Sequence, residues 1–289
     1  MATKTLSENI NQAISDLNGV KQALIDKGVE IPSGTKTSEY GAKIGEIQSG
    51  GNEVDLSTIT DFSYLFINGR FTNMLENVSS LDTQNGTNFE GMFDHCYSLT
   101  KIPALNTSNG TNFESMFDYC QKIESLPVLD TAKGTEFNSM FATCSKLKSI
   151  QQLNVSKTTS LRQTFTSCAN LEYLPPLNTT KVTDFYYTFY GCKKLKTIEI
   201  TNYVSSSRTF ATCTALENLI ITGSAKVSNN NLDLSACVNL TVESMVNLFE
   251  KLTTNTSSTK YKITLGSTNL AKLTAEQKQI AIDKNYTLA

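Results

Sequence analysis

Seven cysteines and a single histidine are the side chains of this chain best suited to nucleophilic or metal chemistry. A thiolate beside an imidazole makes a nucleophile and its base, and thiolates in closely spaced pairs make a tetrahedral zinc site. Neither arrangement is written here. The cysteines stand at Cys96, Cys120, Cys144, Cys168, Cys192, Cys213 and Cys237, separated by 24, 24, 24, 24, 21 and 24 residues. A fixed period of this size marks a repeat, and one thiol per repeat lines up as a ladder instead of converging as a four-ligand cage. His95 adjoins Cys96, but register puts it over Tyr119, Thr143, Ser167 and Gly191, on the outside, while the cysteine points in. A Cys–His dyad is therefore not expected. No GxSxG, HExxH or glycine-rich phosphate loop occurs either. The chain reads as no enzyme, with no catalytic residue, metal ligand or cofactor.

What must position these cysteines is a unit that recurs in register: TNFEGMFDHCYSLTKIPALN at 87–106, TNFESMFDYCQKIESLPVLD at 111–130, TEFNSMFATCSKLKSIQQLN at 135–154, TSLRQTFTSCANLEYLPPLN at 159–178 and TDFYYTFYGCKKLKTIEITN at 183–202. Two shorter units follow. A degenerate one precedes, read from Leu65, Leu75, Val78 and Leu81 lying 24 residues before Phe89, Leu99, Ile102 and Leu105.

Within a unit, Phe113, Met116, Phe117 and Cys120 fall at i, i+3, i+4 and i+7, which predicts one apolar face of a short helix. Ile123, Leu126 and Leu129 with Pro127 among them predict a brief, interrupted strand, and LDTAKG predicts a turn. No unit can bury its apolar face alone, so neighbours must stack. Strands stack about 4.8 Å apart and helices about 8–10 Å apart. The expected fold is thus an α/β repeat, a curved solenoid of about eight 24-residue coils with short strands inside and short helices outside. Stacking would set Phe93, Phe117, Phe141, Phe165, Phe189 and Phe210 in one core column and the seven cysteines in a parallel one. An odd number of thiols in a chain without a signal-like start argues for free thiols and not disulfides.

Three segments are expected: a helical segment at 1–51, the solenoid at 52–241 and an α+β cap at 242–289. In the first, Ile10, Ala13, Leu17, Val20 and Leu24 form a short heptad seam. It reads either as an oligomerising stalk or anchor, or as an amphipathic helix folded on its own chain. In the cap, Thr274 with Gln277 three residues later has capping-box spacing. A formal charge of -2 offers no argument for nucleic acid, and the lack of about 18 consecutive apolar residues excludes a membrane-spanning helix.

The recurring F-x-x-C-x-x-L-x-x-I/L-P, preceded by L-N/D-T-x-x-G-T-x-F-x-x-M, resembles the BspA-like leucine-rich repeats of bacterial surface proteins. That resemblance implies a leucine-rich-repeat solenoid used for adhesion or binding, with no catalytic residues to carry over. IDKGVEIPSGTKTSEYGAKIGEI at 25–47 and LGSTNLAKLTAEQKQIAIDKNYTL at 265–288 resemble the two ends of tail and baseplate-associated proteins of phages that infect Gram-positive bacteria. They imply a virion component.

Two surfaces are candidates for contact. Tyr186, Tyr187 and Tyr190 replace the Glu114, Ser115 and Asp118 of an earlier unit, and with Tyr173 and Tyr203 they are the expected ligand or partner residues. Tyrosine suits sugar rings and protein surfaces alike, though the same rings could pack on the next coil. Lys101, Glu124, Lys148, Glu172 and Lys196 alternate in sign along the strand side, as a register-fixing ladder or as a groove. The function expected is a phage tail-tip or baseplate protein contributing to host-surface attachment. Its partners would be other virion proteins through the N-terminal segment, a host carbohydrate or surface protein, and further copies of itself. A decoration protein that binds only virion partners is one alternative. A bacterial adhesin or scaffold is another.

Overall fold

The computed structural model describes residues 60–69, 80–228 and 231–289. The heptad positions Ile10, Ala13, Leu17, Val20 and Leu24 lie outside them. Each 24-residue unit makes one layer, and the next unit lies on it in parallel. β1 (Ser80–Leu81) pairs with β2 (Ala104–Leu105), and parallel bridges join Asn88 to Asn112, Asn112 to Glu136, Ser149 to Tyr173 and Ser160 to Asp184. Farther along, β3 (Thr197–Ile200) pairs with β5 (Asn218–Ile221), and β4 (Tyr203–Val204) with β6 (Ala225–Lys226), all in parallel.

The core runs through the middle of these layers. Phe66, Phe93, Phe117, Phe141, Phe165, Phe189 and Phe210 stack with centroids 5.1–5.8 Å apart and planes within 10°. A second column holds Phe62, Phe89, Phe113 and Phe137. Each phenylalanine buried this way contributes about 1.5–3 kcal/mol.

The outer side of each layer is not the short helix that the apolar spacing predicts. Residues 111–120 contain no α-helix. The amide hydrogens of Phe113, Ser115, Phe117 and Tyr119 donate sideways to the carbonyls of Glu136, Asn138, Met140 and Ala142 in the next layer. Those of Met116, Asp118 and Cys120 close tight turns on Phe113, Ser115 and Phe117. Ser115 and Tyr119 take positive φ, 54° and 56°, which stops the chain from winding into a helix. The result is a ribbon of turns that presents the same i, i+3, i+4, i+7 residues inward as a helix would. Layer spacing decides between the two. A helix needs about 8–10 Å to its neighbour, while aromatic columns stacked at 5.1–5.8 Å leave room only for a strand-like segment. Backbone hydrogen bonds and parallel pairs therefore join adjacent layers along the ribbon as well as on the strand side.

The thiol ladder has a specific job in this ribbon. Cys96, Cys120, Cys144, Cys168, Cys192, Cys213 and Cys237 are all buried and free. Each donates to the carbonyl of the core phenylalanine one layer back, from Cys96 on Phe66 at 3.0 Å to Cys237 on Phe210 at 3.5 Å. Burial pushes Cys168 and Cys237 up to about 12, so these thiols stay protonated and act as donors. Where threonine replaces the methionine of earlier layers, Thr164 and Thr188 donate likewise to Phe137 and Leu161.

The connecting turns repeat too. Asn106, Asn154 and Asn178 each accept, through Oδ1, the amide hydrogen and the hydroxyl of the residue two places on. Buried Thr83, Thr131 and Thr179 brace the neighbouring layer by donating to, and accepting from, the backbone of Asn106, Asn154 and Asn202.

Two irregular layers depart from the sequence register. The first aromatic contacts are Phe62 with Phe89 and Phe66 with Phe93, an offset of 27 residues and not the 24 that aligns Leu65 with Phe89, while Leu81 keeps the 24-residue register with Leu105 and Leu75 and Val78 lie outside the described residues. The aromatic match prevails because two stacked rings bury more apolar surface than a leucine in their place. In the unit shortened by three residues, register sets Ser206 where Phe185 stands one layer earlier.

The end of the array is closed by α1 (Val242–Lys251), α2 (Gly266–Leu270), α3 (Ala275–Asp283) and a three-stranded parallel sheet of β7 (Leu232–Asp233), β8 (Tyr261–Thr264) and β9 (Tyr286–Leu288). Met245, Leu248 and Phe249 are the buried apolar side of α1. Thr274 and Gln277 form a reciprocal capping box at the start of α3, satisfying two amide hydrogens that the helix cannot.

Candidate functional site

The turn ribbon places four columns of side chains on its outer face, and their chemistry changes along the array. One column reads Glu90, Glu114, Asn138, Arg162, Tyr186 and Ser207, and the next Asp94, Asp118, Ala142, Thr166, Tyr190 and Ala211. The two positive-φ columns add Gly91, Ser115, Ser139, Gln163, Tyr187 and Arg208, then His95, Tyr119, Thr143, Ser167, Gly191 and Thr212.

Tyr186, Tyr187 and Tyr190 come together. Their centroids lie 4.5 and 5.0 Å apart in sequence order, with planes tilted by 46° and 41°. All three are half-buried, so each residue remains partly open to solvent. The guanidinium of Arg162 sits 4.0 Å over the Tyr186 ring, and that of Arg208 5.7 Å from the Tyr187 ring. Arg162 also reaches Asp184 at 3.9 Å. These two arginines were not among the residues read from sequence. The signal was present, since Arg162 precedes Tyr186 by one 24-residue unit and Arg208 follows Tyr187 by the shortened one of 21.

Tyr173 stands apart, on the strand segment, 51% exposed. Tyr203 does not belong to any surface. Only 1% exposed, it packs between Phe185 and Phe210 at 5.2 and 5.4 Å, filling the space left by Ser206. Burial raises its hydroxyl to about 12. A shortened layer that lacks its phenylalanine has to import a ring, and Tyr203 supplies it.

At the other end of the face lies a second aromatic group. His95 stacks on Tyr119 at 4.6 Å, and Tyr97 meets both rings edge-on. Here the surroundings are acidic. His95 Nδ1 pairs with Asp94 at 2.5 Å, and the Tyr64 hydroxyl donates to Glu90 at 2.5 Å. Asp118 has a buried Oδ1 without a hydrogen-bond partner, and its carboxyl is raised to about 7, by burial first and by Asp94 second. Burial also raises Asp94 and Glu114.

On the strand side, Lys148 meets Glu124 at 2.6 Å and Lys196 meets Glu217 at 3.1 Å across adjacent layers. Glu172 leaves the alternating column and approaches Lys194 at 3.6 Å. These pairs are exposed, so they favour one register without adding much stability. Among the described residues no group of three or more His, Cys, Asp or Glu side chains could hold a metal ion. No helix among them is long and apolar enough to cross a membrane.

Comparison with protein families gives two overlapping matches to a single family, at residues 36–149 and 124–223, which together span more than half of the chain. The chain belongs to DUF285. The description of DUF285 is "Mycoplasma protein of unknown function", and the family is associated with BspA-like repeat proteins. The DUF285 matches cover the thiol ladder through Cys213 and all three tyrosines of the patch. Comparison with curated proteins returned no match.

Proposed function

We propose that this DUF285 chain is a non-catalytic attachment protein of a phage particle, placed at the tail tip or baseplate. In this reading it is a leucine-rich-repeat-type solenoid whose outer helices are replaced by turn ribbons, and it holds a receptor-binding face against the host surface. The observation that carries the reading is the cluster of Tyr186, Tyr187 and Tyr190, half-exposed on a backbone whose hydrogen bonds are spent on neighbouring layers. Three adjacent, partly exposed tyrosines on a braced scaffold offer flat apolar contact at low entropic cost. The two end segments that resemble phage tail proteins supply the particle and the Gram-positive host. The N-terminal 51 residues are the proposed tether to other virion proteins and between copies.

The test is retention of the purified full chain on a panel of Gram-positive cells, compared with its Tyr186→Ala/Tyr187→Ala/Tyr190→Ala variant. Binding to at least one strain that the variant loses, with its melting temperature kept, supports attachment. Co-sedimentation with tail particles but no cell binding overturns it in favour of a decoration protein.

A further inference from the structure

The outer face of the ribbon is divided by charge, and the division bears on what the tyrosine patch can hold. Glu90, Asp94, Glu114, Asp118 and Glu136 lie on the ribbon of the earlier layers, whereas the ribbon of the patch layers carries Arg162 and Arg208, with Asp184 as its acid. Arg162 and Arg208 lie against the rings themselves, at 4.0 and 5.7 Å. A guanidinium stacked on a tyrosine keeps its edge donors free for a ligand while the ring fixes its plane.

The backbone beneath cannot recruit a peptide by strand addition. The amide hydrogens of Tyr187, Phe189 and Gly191 go to Ser207, Thr209 and Ala211 in the next layer, and those of Thr188 and Tyr190 close turns on Phe185 and Tyr187. The amide of Tyr186 is taken by the Asp184 carboxylate at 2.8 Å, and that of Phe185 by the Ser206 hydroxyl at 3.0 Å. Extended-peptide recognition through main-chain hydrogen bonds is therefore closed here. Side chains alone make the contact, and they are ring faces bordered by cations.

We propose that the ligand of the Tyr186–Tyr187–Tyr190 patch is an anionic polysaccharide, its sugar rings lying on the tyrosines and its carboxylate or phosphate groups bound by Arg162 and Arg208. This rests on the attachment reading for the location of the site and adds the ligand's chemical class. The acidic layers beside the patch repel the same polymer, which confines it to the tyrosine end of the face.

The experiment measures binding of the full chain to polygalacturonate, phosphorylated dextran, neutral dextran and poly-glutamate. Its arginine variant is Arg162→Gln/Arg208→Gln, with the triple tyrosine-to-alanine variant beside it and melting temperatures confirming that each folds. At least one of the two anionic polysaccharides should bind at least about tenfold more tightly than neutral dextran, and the arginine variant should erase that difference. The tighter of the two identifies the anionic group. The tyrosine variant should lose binding altogether. Equal binding of neutral dextran overturns the proposal. So does poly-glutamate binding as tightly as the anionic sugars, which would leave charge alone as the cause, and so does indifference to the arginines. Cell retention separates the two readings: if it needs the tyrosines but not the arginines, attachment stands and the anionic ligand falls. If anionic sugars bind through both while cell retention needs neither, the ligand class stands and attachment falls.

Discussion

Cys168 donates its thiol hydrogen to the main-chain carbonyl of Phe141, 27 residues earlier, across 3.0 Å. That carbonyl also accepts the amide hydrogen of Cys144 at 3.1 Å, so the thiol engages its second lone pair inside the core. A side chain here must be small, apolar in bulk and able to donate, which is a description of cysteine and explains its recurrence once per layer.

Replacing Cys168 with alanine removes the donor and leaves a buried carbonyl less well satisfied, so Cys168→Ala should cost about 1–3 kcal/mol. Cys168→Ser keeps a donor in nearly the same place, much as Thr164 donates to Phe137 at 3.0 Å, and should cost less. Urea unfolding of both variants checks the order. A loss for serine equal to that for alanine would show that volume, not the hydrogen bond, matters.

The same geometry predicts silence toward thiol reagents. All seven cysteines are buried, and burial pushes the thiols of the inner layers up, well away from the reactive thiolate. A disulfide reagent at mildly alkaline pH should find almost no thiol in the folded chain and all seven after unfolding in urea. Rapid labelling of several thiols in the folded protein would contradict the ladder.

Tyr203→Ala is expected to act on stability and not on binding. The ring fills the gap between Phe185 and Phe210, so its removal opens a large cavity and should cost about 3–5 kcal/mol. Introducing Ser206→Phe in the same chain offers a ring from the regular register position. Partial rescue of the melting temperature by the double variant would identify the missing phenylalanine as the reason Tyr203 is buried.

How far the sequence reveals this fold can be traced through single positions. Phe117 and Cys120 are legible because burial in every layer forces the same residue types at the same interval. Their backbone is not, since a helix and a turn ribbon turn the same residues inward. What separates them is the sign of φ at Ser115 and Tyr119, and neither residue type announces a left-handed conformation. Tyr187 was visible as an outward position because register fixes the direction of its side chain. Tyr203 was not, since a three-residue deletion breaks the register where direction has to be read.

Left-handed positions occupied by ordinary residues carry a conformational cost. Thr143 has φ of 60°, and a β-branched side chain is the least suited to that region. Thr143→Gly should relieve the strain and raise stability by up to about 1 kcal/mol, after the greater freedom of glycine in the unfolded chain is set against it. Chemical denaturation of the variant checks this, and a destabilised Thr143→Gly would mean that the threonine side chain contributes packing the strain argument omits.

Asp118 makes stability depend on pH in a direction opposite to that of a salt-bridged carboxylate. Its pKa rises from 3.8 to about 7 on folding, chiefly through burial, with Asp94 adding to the shift and His95 opposing it, while Asp94 and Glu114 are themselves raised. Between those two values the folded chain keeps a proton that the unfolded chain releases. The stabilisation is therefore complete below 3.8 and is lost as the pH climbs through about 7. Asp118→Asn presents a neutral side chain of the same shape at every pH, so its melting temperature relative to the parent should rise steadily from pH 4 to 8, about the span of the shift. A constant difference between the two proteins across that range would show that the Asp118 carboxylate is no less comfortable folded than unfolded, and would remove the buried, unpartnered oxygen as a source of strain in the acidic half of the face.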